Sequence, residues 1–152
     1  MRTSSLVLVA GLALSACGGS DESAASPAKV PGGRVDHVRV DHILIGVKNP
    51  RFPPAKRDLE EARTVAHDLY AKLKAGADWD AAKREFTEDT PPGGPYGMAN
   101  RGVRLDPGDF PRDQMAPAFG DVGFSLAVGE LGLAEYDEKT SPFGFHIIKR
   151  IK

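Results

Sequence analysis

Cysteine is nearly absent from this chain of 152 residues, which contains only Cys17. A single thiol cannot form an intramolecular disulfide, so the folded part must be stabilised by its own core. The formal net charge of −1 gives no support for binding to nucleic acid or to an acidic surface. The sequence also lacks the Gly-x-Ser-x-Gly motif of serine hydrolases, and Gly93-Gly94 lacks the spacing and the Lys-Ser/Thr ending of a phosphate-binding loop.

Long hydrophobic runs are missing too. The apolar run from Leu6 to Leu14 is shorter than the roughly 20 residues that span a bilayer. It follows a short basic start and ends in Leu14-Ser-Ala-Cys17, which resembles the lipobox of bacterial lipoproteins, where the signal is cut before the cysteine and the thiol is acylated. This pattern predicts a lipoprotein signal peptide at residues 1–16. The alternative is an ordinary signal peptide that ends beside an unmodified thiol.

The domain organisation follows from composition. Residues 17–34 consist mainly of Gly, Ser, Ala, Asp, Glu and Pro, which predicts a flexible tether behind the lipidated Cys17. Residues 35–152, about 118 in number, have the size of one domain with a single core. We therefore expect an extracytoplasmic protein that is lipid-anchored to a bacterial membrane, on the periplasmic face or the cell surface.

Two stretches carry the strongest strand signal, and each has a histidine near its middle. In residues 143–151 and 38–47, aromatic and β-branched residues occur at both parities of a period of two, which is typical of strands in the centre of a sheet. His146 lies in the first stretch and His42 in the second. If the two strands are neighbours, their facing side chains lie about 4.5–5.5 Å apart at Cβ, and the imidazoles can meet.

The remaining elements are weaker. Apolar positions at helical spacing predict one helix from about Asp58 to Gly76 and a shorter one from Asp78 to Phe86. Residues 96–101 and 131–136 read as short strands, residues 103–113 as a loop, and residues 114–119 as one or two helical turns. A metal site on His37 and His42 is not expected, because an odd separation on a strand puts them on opposite faces.

Taken together in order, several motifs are specific, and the chain from Val38 to Arg150 resembles the parvulin family of peptidyl-prolyl cis/trans isomerases. The motifs are Val-Arg-Val-Asp-His-Ile-Leu-Ile at 38–45, Leu-Lys-Ala-Gly-Ala-Asp-Trp at 73–79, Glu-Phe-Thr-Glu-Asp at 85–89, Gly-Pro-Tyr-Gly at 94–97, Phe-Ser-Leu-Ala-Val-Gly-Glu at 124–130 and Phe-Gly-Phe-His-Ile-Ile-Lys at 143–149. The resemblance implies an α+β fold, with a four-stranded antiparallel sheet surrounded by helices in the order β-α3-β-α-β2.

The resemblance also implies a site. Its polar centre would consist of four residues, His42, Asp89, Ser141 and His146. The substrate proline would bind an apolar pocket formed by Tyr96, Met115, Phe119 and Phe124. The implied activity is non-covalent isomerisation of X-Pro bonds in unfolded or extended chains that contain proline. It needs no cofactor, no metal and no nucleic acid, and it would assist the folding of exported proteins.

Other interpretations remain open for each residue. The histidines can be satisfied core residues, Asp89 can simply end a helix loop, and Met115 and Phe119 can be ordinary core. Ala116 stands where the family commonly has a hydrogen-bonding glutamine, and residues 103–113 are an insertion expected beside the pocket. These departures favour the alternative function, a parvulin-shaped chaperone or peptide-binding module without useful turnover.

Overall fold

The computed structural model describes residues 34–89 and 93–152 of the chain. The predicted signal peptide, the lipidated Cys17 and all of the predicted tether except Arg34 lie outside these residues. In the described part, no helix combines the length and the apolar character that crossing a membrane requires.

One sheet organises the described residues. The elements follow along the chain as β1 His37–Gly46, α1 Leu59–Lys74, α2 Trp79–Phe86, β2 Tyr96–Ala99, β3 Asp109–Pro111, a 3₁₀ turn Arg112–Gln114, α3 Pro117–Ser125, β4 Leu131–Ala134 and β5 Gly144–Arg150. The sheet order is β3-β2-β1-β5-β4. β3 pairs parallel with β2, and the other three pairings are antiparallel. The expected α+β class is confirmed.

The strand and helix counts differ from the expected four antiparallel strands with three helices before the second strand. The described residues contain a fifth strand, β3, and two helices between β1 and β2. β3 lies in the segment that the sequence predicts to be a loop, because that segment is polar and contains Pro107, Gly108 and Pro111. Pro111 is tolerated because β3 is an edge strand, so only one side of it pairs.

The first two helices begin and end close to where the sequence places them. The carboxylate of Asp58 accepts a hydrogen bond from the backbone N–H of Glu61 at 2.9 Å, and Glu61 accepts one from the N–H of Asp58 at 3.3 Å. This reciprocal capping box fixes the start of α1. The carboxylate of Asp78 caps α2 by accepting a hydrogen bond from the backbone N–H of Ala81 at 2.6 Å. Both helices therefore start where an acidic side chain satisfies free backbone donors.

The third helix is where the sequence prediction is wrong. The predicted helical turns at residues 114–119 put Met115 and Phe119 on one helix, but α3 begins only at Pro117 and Met115 is extended, with φ −88° and ψ 159°. The proline explains the shift, because its ring disfavours helical geometry at Ala116 while its own fixed φ suits the first helical position. The helix then continues beyond the predicted end, to Ser125.

The sheet has a separate core on each face. Ile43, Ile45, Phe145 and Ile147 pack against the buried faces of α1 and α2. The other face holds Val38, Val40, Met98 and Ile148, which pack against α3. The alternation read from the sequence is therefore confirmed in both central strands. His42 and His146 belong to the α3 face, so the candidate site lies between that helix and the sheet.

Candidate functional site

The two mid-strand histidines are diagonal neighbours on the paired central strands. In the ladder between β1 and β5, Leu44 lies opposite His146 and His42 lies opposite Ile148. Diagonal positions are still within reach of ring side chains, and the two imidazole centroids are 5.4 Å apart. The expected proximity of the imidazoles is confirmed, although the histidines are offset by two residues rather than directly opposite.

Asp89 reaches these histidines because the chain after α2 runs alongside β1. The N–H of Glu88 donates to the carbonyl of Leu44 at 2.9 Å, and the N–H of Leu44 donates to the hydroxyl of Thr87 at 3.2 Å. These two bonds fix the chain one residue before Asp89. Its Oδ2 consequently lies 3.3 Å from Nε2 of His42.

The electrostatics of this pair favour an ionised carboxylate. The hydrogen bond from His42 is the main influence on Asp89, and with the charge of His42 it outweighs burial and lowers the pKa of Asp89 below 3.8. An ionised carboxylate only accepts hydrogen bonds, so Nε2 of His42 must carry the proton. Tyr96 also donates its hydroxyl to Oδ2 of Asp89 at 3.4 Å. Burial, and secondarily the charge of Asp89, raises the pKa of Tyr96, so this phenol remains a donor.

His146 has the opposite character. Burial, reinforced by the charge of His42 and opposed by that of Asp89, lowers the pKa of His146 to about 3. The ring is therefore neutral near pH 7. Within the described residues, neither of its nitrogens has a hydrogen-bond partner, and the same holds for Nδ1 of His42. The site thus combines one carboxylate with two largely buried imidazoles. In the described residues, three of the four imidazole nitrogens have no hydrogen-bond partner.

Above this polar centre lies an open cavity of about 360 Å³. Phe119 from α3 closes one wall, with its ring edge-on to His42 at 5.2 Å and to His146 at 5.3 Å. Tyr96 stacks on His42 at 5.6 Å. α3 can approach this closely because Gly123, which has no side chain, lies against Met98 and Val40 of the sheet. An apolar wall therefore lies directly over an ionised acid.

The structure brings most of the predicted site residues to this cavity. Six of them line it, namely His42, Asp89, Tyr96, Met115, Phe119 and His146. Phe124 does not: it packs in the core, where the guanidinium of Arg112 lies 4.7 Å from its ring centroid. Ser141 is fully buried and donates its hydroxyl to the carbonyl of Gly144 at 2.8 Å, so it supports the turn before β5 rather than binding an imidazole.

Sequence reasoning missed several residues of the cavity wall. These are Leu44, Phe52, Gln114 and Phe143. Leu44 could have been found from the strand alternation, because it shares a face with His42. Phe52 and Phe143 lie on loops, with ring centroids 6.1 Å apart, and no periodicity marks a loop position. The cavity is consequently more aromatic at its rim than the sequence alone suggests.

A partly buried ion pair contacts the chain at Gly93. Nζ of Lys83 bonds to the carboxylate of Asp41 and to the carbonyl of Gly93, the latter at 3.0 Å. Trp79 donates its indole N–H to the same carboxylate at 2.8 Å. Burial acts to raise the pKa of Asp41, but these hydrogen bonds prevail and lower it. Gly93 is thereby held against Asp89, where a Cβ atom would collide with the carboxylate.

Comparison with known proteins matches this architecture to one family. The model of the "PPIC-type PPIASE domain" matches residues 29–151. Among solved structures, the solution structure of TbPIN1 superposes with a TM-score of 0.55 at 18% identity, covering 78% of this chain and 100% of that chain. At this identity the superposition supports the fold alone.

Sequence relatives include both foldases and isomerases. Foldase protein PrsA of Caldanaerobacter subterraneus subsp. tengcongensis is 32% identical over 62% of this chain and 27% of its own length. Chaperone SurA of Chromohalobacter salexigens is 32% identical over 73% of this chain and 21% of its own length. The chain thus spans about a quarter of the length of these two relatives. Peptidyl-prolyl cis-trans isomerase pin1 of Rhizopus delemar is 30% identical over 81% of this chain and 78% of its own length.

Proposed function

Because this chain belongs to the family of PPIC-type peptidyl-prolyl isomerase domains, the parvulins, we propose that it catalyses cis/trans isomerisation of X-Pro bonds in extended or unfolded polypeptides. The observation that carries the proposal is the contact between the ionised Asp89 and His42 beneath an apolar cavity. A site for binding alone needs the apolar wall but not a partly buried carboxylate below it.

Substrate binding uses the apolar part of the site. The rings of Phe119 and Tyr96 and the side chain of Met115 line a cavity of about 360 Å³, which is large enough for a proline ring and its flanking backbone. Burial of apolar surface stabilises the bound ring by about 25 cal/mol per Å². The cavity opens to solvent, so an extended chain can enter and leave it.

The polar centre provides the interactions that are stronger in the transition state than in the ground state. Rotation about an X-Pro bond faces a barrier of about 18–20 kcal/mol, because the nitrogen lone pair is delocalised into the carbonyl. A carboxylate near the carbonyl carbon disfavours the planar, polarised form and so favours the twisted amide. Asp89 supplies that charge, and His42 and Tyr96 hold it in place through bonds to Oδ2. No bond to the substrate forms or breaks.

A role in the folding of exported proteins is the further step of this proposal. Leu14-Ser-Ala-Cys17 in the sequence supports export and lipid anchoring, and the names of the relatives, Foldase protein PrsA and Chaperone SurA, support a folding role. In this proposal, the protein is lipid-anchored on the outer side of a bacterial membrane. Its substrates there are proline-containing polypeptides that have not yet folded.

A second candidate, a peptide-binding module without useful turnover, is favoured by one observation. Ala116 lines the cavity and offers no side-chain hydrogen bond, at the position where the resemblance leads one to expect a glutamine. Gln114 also lines the cavity, and its amide provides the same donor and acceptor groups from two residues earlier. The isomerase is the better supported of the two because the carboxylate and both imidazoles are in place.

The proposal is tested by exchange spectroscopy on a proline-containing peptide. The full-length chain should accelerate cis/trans exchange, which without a catalyst takes tens to hundreds of seconds, at protein concentrations far below that of the peptide. Binding of the peptide with no change in its exchange rate would support the binding module instead.

A further inference from the structure

The insertion at residues 103–113 forms a turn that carries a carboxylate at each end. The N–H of Asp109 donates to the carbonyl of Asp106 at 3.0 Å, and Gly108 between them has φ +88°. Proline followed by glycine with positive φ is the pattern of a type II turn. The turn leads directly into β3, which pairs with β2, so both carboxylates are placed beside the start of β1.

These carboxylates meet a histidine that the proposed catalytic site does not use. Nδ1 of His37 lies 3.0 Å from Oδ2 of Asp109 and 3.8 Å from Oδ2 of Asp106. All three potential ligand atoms lie within 4.8 Å of one another. The side chain of Asp109 is only 13% exposed, because it lies over Gly97, where a Cβ atom would collide with it. One oxygen and one nitrogen ligand are therefore held in place by the sheet.

The local charge favours a cation. Within the described residues, His37 is the single basic side chain within 4.0 Å of Asp106 or Asp109. Two carboxylates thus face one imidazole, and even a protonated ring would leave one negative charge uncompensated. A divalent cation would compensate both carboxylates while the ring remains neutral.

We propose that His37, Asp106 and Asp109 bind a divalent transition-metal ion, with Zn²⁺ as the best match. Zinc binds imidazole nitrogen and carboxylate oxygen at about 2.0–2.2 Å, which in tetrahedral geometry separates two ligand atoms by about 3.4 Å. The observed separations of 3.0 and 3.8 Å bracket that value. Imidazole as a ligand disfavours Mg²⁺ and Ca²⁺, which prefer oxygen alone. The remaining coordination position is left to water.

Such an ion would connect β1 to the insertion beside the substrate cavity. Phe110 follows Asp109 directly in β3, and its ring lies 5.8 Å from that of Tyr96, which lines the cavity. The ion would therefore fix the edge strand next to the substrate. His37 and His42 do not share a face of β1, as the sequence predicts, but the insertion brings two aspartates to His37.

The test is calorimetric titration of the untagged full-length chain with Zn²⁺ and, separately, with Mg²⁺. Cys17→Ser is present throughout, because a thiol also binds zinc. Asp106→Asn removes one ligand at an exposed position, with a side chain that is 72% exposed, so the fold should be preserved. Asp36→Asn is the matched control, because it makes the same charge change next to His37 at a carboxylate paired with Arg34.

We expect one Zn²⁺ per chain, no measurable Mg²⁺ binding, and at least a tenfold loss of zinc affinity in Asp106→Asn but not in Asp36→Asn. Zinc should also shift the ring resonances of His37 in a histidine-detected NMR spectrum. Absence of zinc binding at millimolar concentration would overturn the proposal. So would equal affinity in Asp106→Asn and the parent chain, because the ion would then lie elsewhere, for example between His42 and Asp89.

Discussion

Oδ2 of Asp89 lies 3.3 Å from Nε2 of His42, at the base of a cavity whose wall is the ring of Phe119. The two residues come from different parts of the chain, His42 from the centre of β1 and Asp89 from the segment after α2. The backbone hydrogen bond from the N–H of Glu88 to the carbonyl of Leu44 brings those parts together. The ionised acid therefore has a fixed position relative to the apolar surface that would hold a proline.

Acid should destabilise the protein through His146. Its folded pKa of about 3 lies below the ordinary value of 6.5, so the unfolded state binds a proton first as the pH falls. Above pH 6.5, His146 is neutral in both states and does not lower the free energy of unfolding. As the pH falls from 6.5 toward 3, the free energy of unfolding decreases progressively because of this residue. Between pH 7 and pH 5 the loss from this residue should be about 2 kcal/mol.

Urea unfolding of wild type and His146→Gln at both pH values measures this contribution. The stability difference between the two pH values should be smaller in His146→Gln than in wild type by about that amount. His67→Gln is the control, because His67 is half-exposed and forms an ion pair with Glu135 on the surface. If His146→Gln and wild type lose the same stability between pH 7 and pH 5, His146 is not held neutral by burial.

Phosphorylated Ser/Thr-Pro peptides should not be preferred over unphosphorylated ones. Gly46 and Phe52 occupy places where phosphate-selective parvulins, by resemblance, use basic side chains. Of the basic residues in the following loop, Arg57 is paired with Glu88, and Arg51 donates to the carbonyl of Glu138 at 3.1 Å. A phosphate would have to displace these partners, which weakens charge-assisted recognition.

Competition binding with matched phosphorylated and unphosphorylated peptides measures the preference. A tenfold or larger preference for the phosphopeptide would show that Lys48 and Lys56 form a phosphate site. Loss of that preference in a Lys48→Ala, Lys56→Ala double variant would then identify them, and Lys74→Ala, on the last turn of α1, is the control.

Gly93→Ala should impair turnover by displacing Asp89. A Cβ atom at this position would collide with the carboxylate and with the Tyr96 hydroxyl, while the wall formed by Phe119 stays as it is. We expect the isomerisation rate to fall at least tenfold, a loss of about 1.4 kcal/mol of barrier lowering, which is larger than the loss of peptide affinity that displacement of Tyr96 causes. Unchanged turnover in a folded Gly93→Ala variant would show that the position of Asp89 does not matter.

Cys17 should be the mature N-terminus and carry lipid. Residues 1–17 lie outside the described part of the chain, so this prediction rests on the Leu14-Ser-Ala-Cys17 sequence alone. Two or three acyl chains would anchor the protein firmly, whereas one chain gives only reversible binding. Mass spectrometry of the protein from a bacterial host decides the matter, with Cys17→Ser as the control. A mature form with a free thiol, or cleavage at another position, would remove the anchor.

The sequence predicted those features that depend on local periodicity. The faces of β1 and β5, and the start of α1 at Asp58, follow from alternation and capping, which neighbouring residues determine. The resemblance to parvulins then placed His42, Asp89 and His146 in one site. The sequence did not predict β3, because three residues with a proline carry no strand pattern and the pairing with β2 is a tertiary effect.

Residues on loops were the hardest to assign. Phe52 and Phe143 line the cavity through loop positions that no spacing rule marks. Phe124 was expected in the pocket from the resemblance, but α3 turns it toward Arg112 and the core. Phe119 and Phe124 are five positions apart on this helix, which is about 140° of rotation, so a helix that turns Phe119 to the cavity turns Phe124 away from it.

The central claim is that Asp89 acts on the rate while Phe119 acts on binding. Asp89→Asn keeps the size and removes the charge, whereas Phe119→Ala removes apolar wall. Peptide affinity and isomerisation rate are measured by NMR for wild type and both variants, after circular dichroism and thermal melts have shown that all three are folded. Phe119→Ala should weaken affinity and turnover together, since it removes binding common to ground and transition states.

Asp89→Asn decides between the isomerase and the binding module. We predict that this variant binds the peptide with wild-type affinity and isomerises it at least tenfold more slowly, a loss of about 1.4 kcal/mol of barrier lowering. If wild type binds proline peptides without accelerating their isomerisation, or if Asp89→Asn turns them over as fast as wild type does, the catalytic role of Asp89 is contradicted.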